Sequence, residues 1–397
     1  MIHSHRRELR GSIGLVLVLA VMVSSRPAAV RAGEQSGRPG WGVRFADMIM
    51  AKWPDPNTID PKQNGWEYNT GIVLFGMSKI YERTGDKRCL NYIRTWVDSY
   101  VDDKGVIRWN QEQTHNLDFI QPAMLILFLY EQTKDPKYRA AAGMVRECFD
   151  KIPRNADGGF WHKAIYPNEM WIDGIYMAEP FLMRYGKLFG DAAFCDDTAV
   201  FQTILAGQHC LDSKTGLLFH GWDQDKNAKW ADSESGVSPV FWSRGMGWYV
   251  MALVDLLEML PRKHPGHAKL LSLLKENVRG LKETQDPKSG LWFQVLDKGE
   301  RPDNWIETSG SGMFIYAIRK AVDLKLIDRE YLPVAEKAWK GLPAFIEEGP
   351  NGMPVITSAV QGMGVQTEYA LYVKMSRLKN STHGLMAVQL AASQMER

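Results

Sequence analysis

"TGIVLFGMSKIYERTGDKRCLNYIRTWVDSY", Thr70 to Tyr100, decides the fold. Ile72, Phe75, Ile80 and Tyr81 recur at roughly helical spacing. The tight Thr84-Gly85-Asp86 then stops one helix and a second begins at once. The same grammar returns along the chain. "DFIQPAMLILFLYEQTKD" ends in a turn at Thr133–Pro136, and "RGMGWYVMALVDLLEMLP" also closes on a stop signal. Long Val/Ile/Thr alternations are absent, and a short stretch such as Gly290–Asp297 fits a hairpin strand within a loop. Helices are expected over 42–53, 66–83, 87–101, 118–133, 137–151, 173–188, 193–209, 244–260, 266–285, 308–324, 329–347 and 366–377. They fall into pairs with a period of about 50–70 residues. Six helical hairpins close into a ring with one helix of each pair inside, an all-α (α/α)6 barrel. A four-helix bundle or an open solenoid is the alternative. The solenoid needs polar capping repeats at both ends, which this chain lacks.

The chain has 397 residues, 45% of them hydrophobic, enough for one large core. Residues 1–32 read as a secretory signal. Arg6, Arg7 and Arg10 precede an eleven-residue apolar run, Ile13–Val23, and Val30–Ala32 is a small-residue cleavage site. The run is too short to span a bilayer, which takes about 20 residues. Residues 33–41 are a Gly-rich lead-in, 42–380 the helical-hairpin domain, and 381–397 a tail that fits no pattern. The formal charge of +2 falls to −2 once the five arginines and one glutamate of residues 1–32 are removed. No basic block points to nucleic acid, and no membrane association is expected after cleavage. The expected product is an exported monomer or weak oligomer. Cys89, Cys148, Cys195 and Cys210 match no metal or redox spacing and read as buried small hydrophobes.

Each expected inner helix starts with polar or aromatic residues: "WEYNTG" (66–71), "HNLDFI" (115–120), "MWIDGI" (170–175), "WSRGMGW" (242–248), "ETSGSGM" (307–313) and "QTEYALY" (366–372). If the inner helices run parallel, these starts meet at one mouth. Their free N–H groups and positive ends suit an anionic ligand there. Asp118 and Asp173 each read singly as an N-cap. Together, among apolar residues at one mouth, they read as a carboxylate pair with one member held protonated. His162 and His220 are loop histidines beside aromatics. They stand in no metal spacing, so no metal and no cofactor is expected, and donation to substrate oxygens is their functional reading. Arg244, between Trp242 and Trp248, can fork onto a carboxylate. Gly245 and Gly247 open space for a ligand beside it. The chain's 14 tryptophans concentrate in these loops and favour a carbohydrate cleft over a plain core.

These strings, with "GGFWHK", "YPNEMWIDGIYMAEPF", "TGLLFHGWD", "QDPKSGLWFQVLD" and "ETSGSGMFIYAI", resemble the unsaturated rhamnogalacturonyl hydrolases of glycoside hydrolase family 105. More distantly they resemble the unsaturated glucuronyl hydrolases. The resemblance runs in order from about residue 42 to about 375. It implies an (α/α)6 barrel and a substrate ending in a 4,5-unsaturated uronic acid left by a polysaccharide lyase. The family protonates C4 of that enol ether and adds water at C5. The hemiketal then opens and releases the remaining oligosaccharide. By this matching Asp173 is the acid/base and Asp118 assists. His162, His220, Arg244, Trp242, Trp248, Tyr68, Asn69, Thr70 and Met170 hold the sugar. The pattern is broken at Glu169, where glutamine is usual. A polysaccharide lyase, an inverting glycosidase or a non-catalytic sugar-binding protein on the same barrel are the rivals.

Overall fold

The computed structural model describes residues 39–60, 65–109 and 115–396. The expected signal segment and most of the lead-in lie outside these residues. Thirteen helices follow: α1 (Trp41–Lys52), α2 (Tyr68–Thr84), α3 (Lys87–Asp98), α4 (Ala123–Thr133), α5 (Pro136–Cys148), α6 (Ile172–Phe189), α7 (Ala192–Cys210), α8 (Ser243–Met259), α9 (His267–Thr284), α10 (Thr308–Asp323), α11 (Leu332–Gly341), α12 (Tyr369–Val373) and α13 (Thr382–Met395).

Local chemistry sets the hairpins. In the opening stretch Gly85 adopts φ 71°, the left-handed cap that ends α2, and the Asp86 carboxylate accepts the Arg88 N–H to start α3. Asp135 caps α5 in the same way by accepting the Lys137 N–H. Helices α2, α4, α6, α8, α10 and α13 pack in that cyclic order, with α13 returning to α2. They form the inner layer. Every residue from Ser243 to Leu257 of α8 is buried, as a helix surrounded on all sides requires. The outer helices α3, α5, α7, α9 and α11 each lie on the inner helix that precedes them.

The sixth pair departs from expectation. The segment 366–377 supplies only the five-residue α12. The inner helix is α13, drawn from the stretch expected to be a tail, and its outer partner is α1 from the other end of the chain. The Glu396 carboxylate accepts the Trp41 and Gly42 N–H groups and pairs with Arg83, which joins the last described residue to the α1 N-terminus. Two further elements are shorter than expected. A 3-10 turn, Leu117–Phe119, replaces the start of the 118–133 helix, and α11 is flanked by 3-10 turns where 329–347 was expected to run as one helix.

Short two-stranded ribbons brace the loops at the mouth. Glu169–Trp171 pairs antiparallel with Gly221–Asp223, placing Trp171 opposite Gly221. Gly290–Asp297 makes only single bridges, Phe293 to Ile306 and Val295 to Trp242. All four cysteines are free thiols and buried. Among the described residues no helix is long and apolar enough to cross a membrane.

Candidate active site

The starts of α2, α6 and α8 and the turn before α4 open onto one cavity of about 360 Å³. Its walls include Tyr68, Asp118, His162, Asp173, Trp242 and Trp248, together with the loop Gly362–Gly364. That volume is at the low end for a small-ligand site, which typically spans about 300–1,000 Å³.

Neither aspartate is a helix cap. Asn116 caps the turn that carries Asp118, and α6 begins at Trp171 without any side-chain cap. The bland account of both carboxylates therefore fails. Asp118 Oδ2 lies 2.6 Å from Lys163 Nζ, and Asp118 Oδ1 lies 3.5 Å from His162 Nε2. Burial works to raise the Asp118 pKa, but the Lys163 ammonium beside it outweighs this and holds the carboxyl below its ordinary range. Asp118 is thus ionised. His162 is pushed down to about 4, chiefly by burial, and is a neutral imidazole near pH 7. Its ring stacks on Trp171 at 4.4 Å, and Tyr166 stacks on the same indole at 4.9 Å.

Asp173 faces a different partner. His220 Nε2 lies 3.2 Å from Asp173 Oδ2 without the alignment of a hydrogen bond, and His220 itself is fully buried. A methyl group at Gly245 would stand 3.1 Å from Trp242, 3.3 Å from Asp173 Oδ2 and 3.4 Å from His220. The glycine is what lets α8 approach the carboxylate this closely.

Arg244 lines the cavity but is held from behind. It is 1% exposed, and Nη1 and Nη2 each donate at 2.7 Å, to the Val360 and Gln361 carbonyls. The fork expected to grip a carboxylate instead anchors the loop that leads to Gly362–Gly364. Nη1 also donates to the Ser309 hydroxyl at 3.3 Å, and Nε is buried without a partner.

The residues match, over 41–397, the family pattern of Glycosyl Hydrolase Family 88. A family 105 glycoside hydrolase from C. acetobutylicum is 36% identical in sequence. The alignment covers 90% of this chain and 99% of that one, with a TM-score of 0.84. The chain is a glycoside hydrolase of the related families 88 and 105. The unsaturated rhamnogalacturonyl hydrolase YesR of Bacillus subtilis is 25% identical over 82% of this chain and 89% of its own length. The unsaturated glucuronyl hydrolase of Bacillus sp. GL1, at 15% identity and a TM-score of 0.66, shares the fold.

Of the expected site residues in this hydrolase, Tyr68, Asn69, Asp118, His162, Asp173, Trp242, Arg244 and Trp248 line the cavity. His220 stands behind Asp173. Thr70 and Met170 are buried and do not line it; the Thr70 N–H is spent on the Glu67 carboxylate. The departure at Glu169 has a local purpose, because its carboxylate accepts the Trp171 indole N–H at 2.8 Å. Lys163 and Glu67 were missed. The adjacency of Lys163 to His162 in "GGFWHK" was the available signal. Glu67 caps α2 and lines the cavity, and burial pushes its carboxyl up to about 7. Among the described residues no three ligand side chains are grouped to hold a metal ion.

Proposed function

We propose that the hydrolase removes the terminal 4,5-unsaturated uronic acid from oligosaccharides that polysaccharide lyases leave behind. It hydrates the C4=C5 bond and does not attack the anomeric carbon. One observation carries this reading: two aspartates share the cavity in unlike surroundings. Asp118 is locked in its ionised form by Lys163. Of the two aspartates, Asp173 is the proton donor: it holds the family's acid/base position, and its carboxyl lies 3.2 Å from the His220 imidazole.

Asp173 gives its proton to C4 of the enol ether, and positive charge develops at C5 and the ring oxygen. Ionised Asp118 and the new Asp173 carboxylate stabilise that charge. Asp173 then accepts a proton from the water that adds at C5, so one group acts as acid and then base. The hemiketal opens and the aglycone leaves. The positive charges of Lys163 and Arg244 and the first turns of α2, α6 and α8 favour the substrate's carboxylate. Trp171, Trp242 and Trp248 wall the sugar.

The test is the ultraviolet absorbance of an unsaturated uronyl disaccharide. Loss of absorbance with release of the second sugar supports the reading. A rise in absorbance on an intact polysaccharide, or cleavage of saturated glycosides alone, would sink it. We also propose that the protein is exported, from the basic, apolar and small-residue pattern of residues 1–32. Recovery of the secreted protein with its N-terminus still at Met1 would refute cleavage.

A further inference from the structure

We propose that His383, from the last helix, is a positioning residue of this site. It accepts the Tyr68 hydroxyl proton on Nε2, so that the Tyr68 oxygen faces the cavity as an acceptor only, for a free hydroxyl of the bound sugar. The identity of that sugar rests on the function proposed above.

Tyr68 lines the cavity, and His383 does not. His383 is 2% exposed and stands behind two cavity walls. Its ring centroid lies 5.4 Å from that of Tyr68 and 6.4 Å from that of Trp248. The Tyr68 hydroxyl and His383 Nε2 are hydrogen-bonded. The contact is built by the closure of the inner ring. The first turns of α2 and α13 meet, with Asn69 Oδ1 and Thr382 Oγ1 3.5 Å apart. A histidine near the C-terminus thereby reaches a tyrosine at the start of the catalytic body.

Both groups are neutral. Burial holds the phenol well above its usual range and the imidazole well below its own. A single proton therefore lies between the two heavy atoms, carried by one or the other. The Arg244 charge bears on both groups, making the phenol a better donor and the imidazole a poorer acceptor; the sense proposed follows its effect on the phenol, and the tautomer measurement below decides it. A nearby cation favours electron density on the phenol oxygen and disfavours it being drawn away. It therefore favours the tyrosine as donor. His383 is left with its other nitrogen protonated. With its one proton committed, Tyr68 can offer the cavity only lone pairs. A sugar hydroxyl satisfies such a group, whereas an O-methyl or O-sulfo substituent at that position leaves it unpaired.

A double-mutant cycle tests the pair. Tyr68→Phe and His383→Leu should each lower kcat/KM on an unsaturated uronyl disaccharide by about 5- to 10-fold, mainly through KM. The double variant should be no worse than Tyr68→Phe alone, and His383→Gln, whose side-chain oxygen can accept the proton, should recover most of the loss. Losses that multiply would show that His383 does not act through Tyr68. If His383→Leu does not fold, His383→Met, which likewise cannot accept the proton, takes its place in the cycle. A second measurement needs no activity: 15N spectra of histidine-labelled protein, with the His383 signal identified by its loss in His383→Gln. A neutral ring with Nε2 unprotonated, perturbed by Tyr68→Phe, is the expected result, and an Nε2–H tautomer overturns the proposal. A wild-type enzyme inert on every unsaturated uronyl substrate defeats the substrate reading, while the spectra still judge the pair.

Discussion

His220 bridges Asp173 and Tyr372: its Nε2 lies 3.2 Å from Asp173 Oδ2 and its Nδ1 lies 2.9 Å from the Tyr372 hydroxyl. The Gln366 N–H donates to that hydroxyl at 3.2 Å, which leaves the hydroxyl proton free for Nδ1 and the ring proton on Nε2, close to the carboxylate though not aligned on it. An N–H in that place supports Asp173 once it has given its proton away. Asp173→Asn should lose about 10²–10⁴-fold in kcat with its fold intact. Tyr372→Phe should lose about 10-fold in kcat, because it loosens the imidazole without removing the acid. Steady-state rates with a thermal melt decide both, and an Asp173→Asn enzyme within a few-fold of wild type defeats the assignment.

The contact between Lys163 and Asp118 predicts an asymmetric pair of variants. Asp118→Asn should be severely impaired, because the ionised carboxylate that faces the developing charge is gone. Lys163→Met leaves Asp118 buried without its cation, so its pKa rises from the depressed value and the acidic limb of the kcat profile moves to higher pH. A Lys163→Met profile that overlays wild type would contradict this electrostatic account.

His162 makes a prediction for stability. Its folded pKa, about 4, lies below the ordinary 6.5, so the unfolded chain binds the extra proton first. The contribution is complete above pH 6.5 and is lost as the pH falls from 6.5 to 4, by about 3 kcal/mol at most. His162→Gln should therefore show a flatter decline of Tm across that window than wild type. Parallel declines would mean that another group controls acid stability.

Much of this molecule was legible before its structure. Five of the six inner helices announce themselves by aromatic and polar starts such as "WEYNTG" and "WSRGMGW", and tight turns such as Gly85 mark the hairpins. The sixth does not. α13 is buried on nearly every side, so "THGLMAVQLAASQM" carries no amphipathic period. Its partner α1 lies at the opposite end of the chain, so no turn flags the pair. Arg244 was legible as a site residue but not in its role, because its partners are main-chain carbonyls, and a carbonyl has no sequence signature. Glu67 hid for a similar reason. A helix-capping carboxylate looks the same in sequence whether or not a cavity lies beside it.

Glu67 gives a prediction for binding. Burial raises its carboxyl to about 7, so raising the pH through neutrality adds a negative charge to the cavity wall. An anionic uronate then binds less well. The kcat/KM of wild type should fall through this range, with kcat falling less, and Glu67→Gln should flatten that limb while keeping a cap oxygen for the Asn69 and Thr70 N–H groups. A limb that persists unchanged in Glu67→Gln belongs to another group.

Arg244→Lys separates two roles for one residue. If the guanidinium gripped the uronate carboxylate, lysine would keep the charge and lose only the fork. In this structure the fork is occupied by the Val360 and Gln361 carbonyls, and a lysine ammonium cannot reproduce that planar pair of bonds. A hydrogen bond from a charged donor is worth about 1.5–3 kcal/mol, so the loop carrying Gly362–Gly364 should loosen. Hydrogen exchange over 359–366 should accelerate in Arg244→Lys, and KM should rise about 10-fold as the cavity loses that wall. The methyl ester of the unsaturated disaccharide supplies the control. The variant should lose the same factor on ester and acid, since the loop contacts both. A loss confined to the free acid, with unchanged exchange in the loop, would return Arg244 to the role of carboxylate ligand.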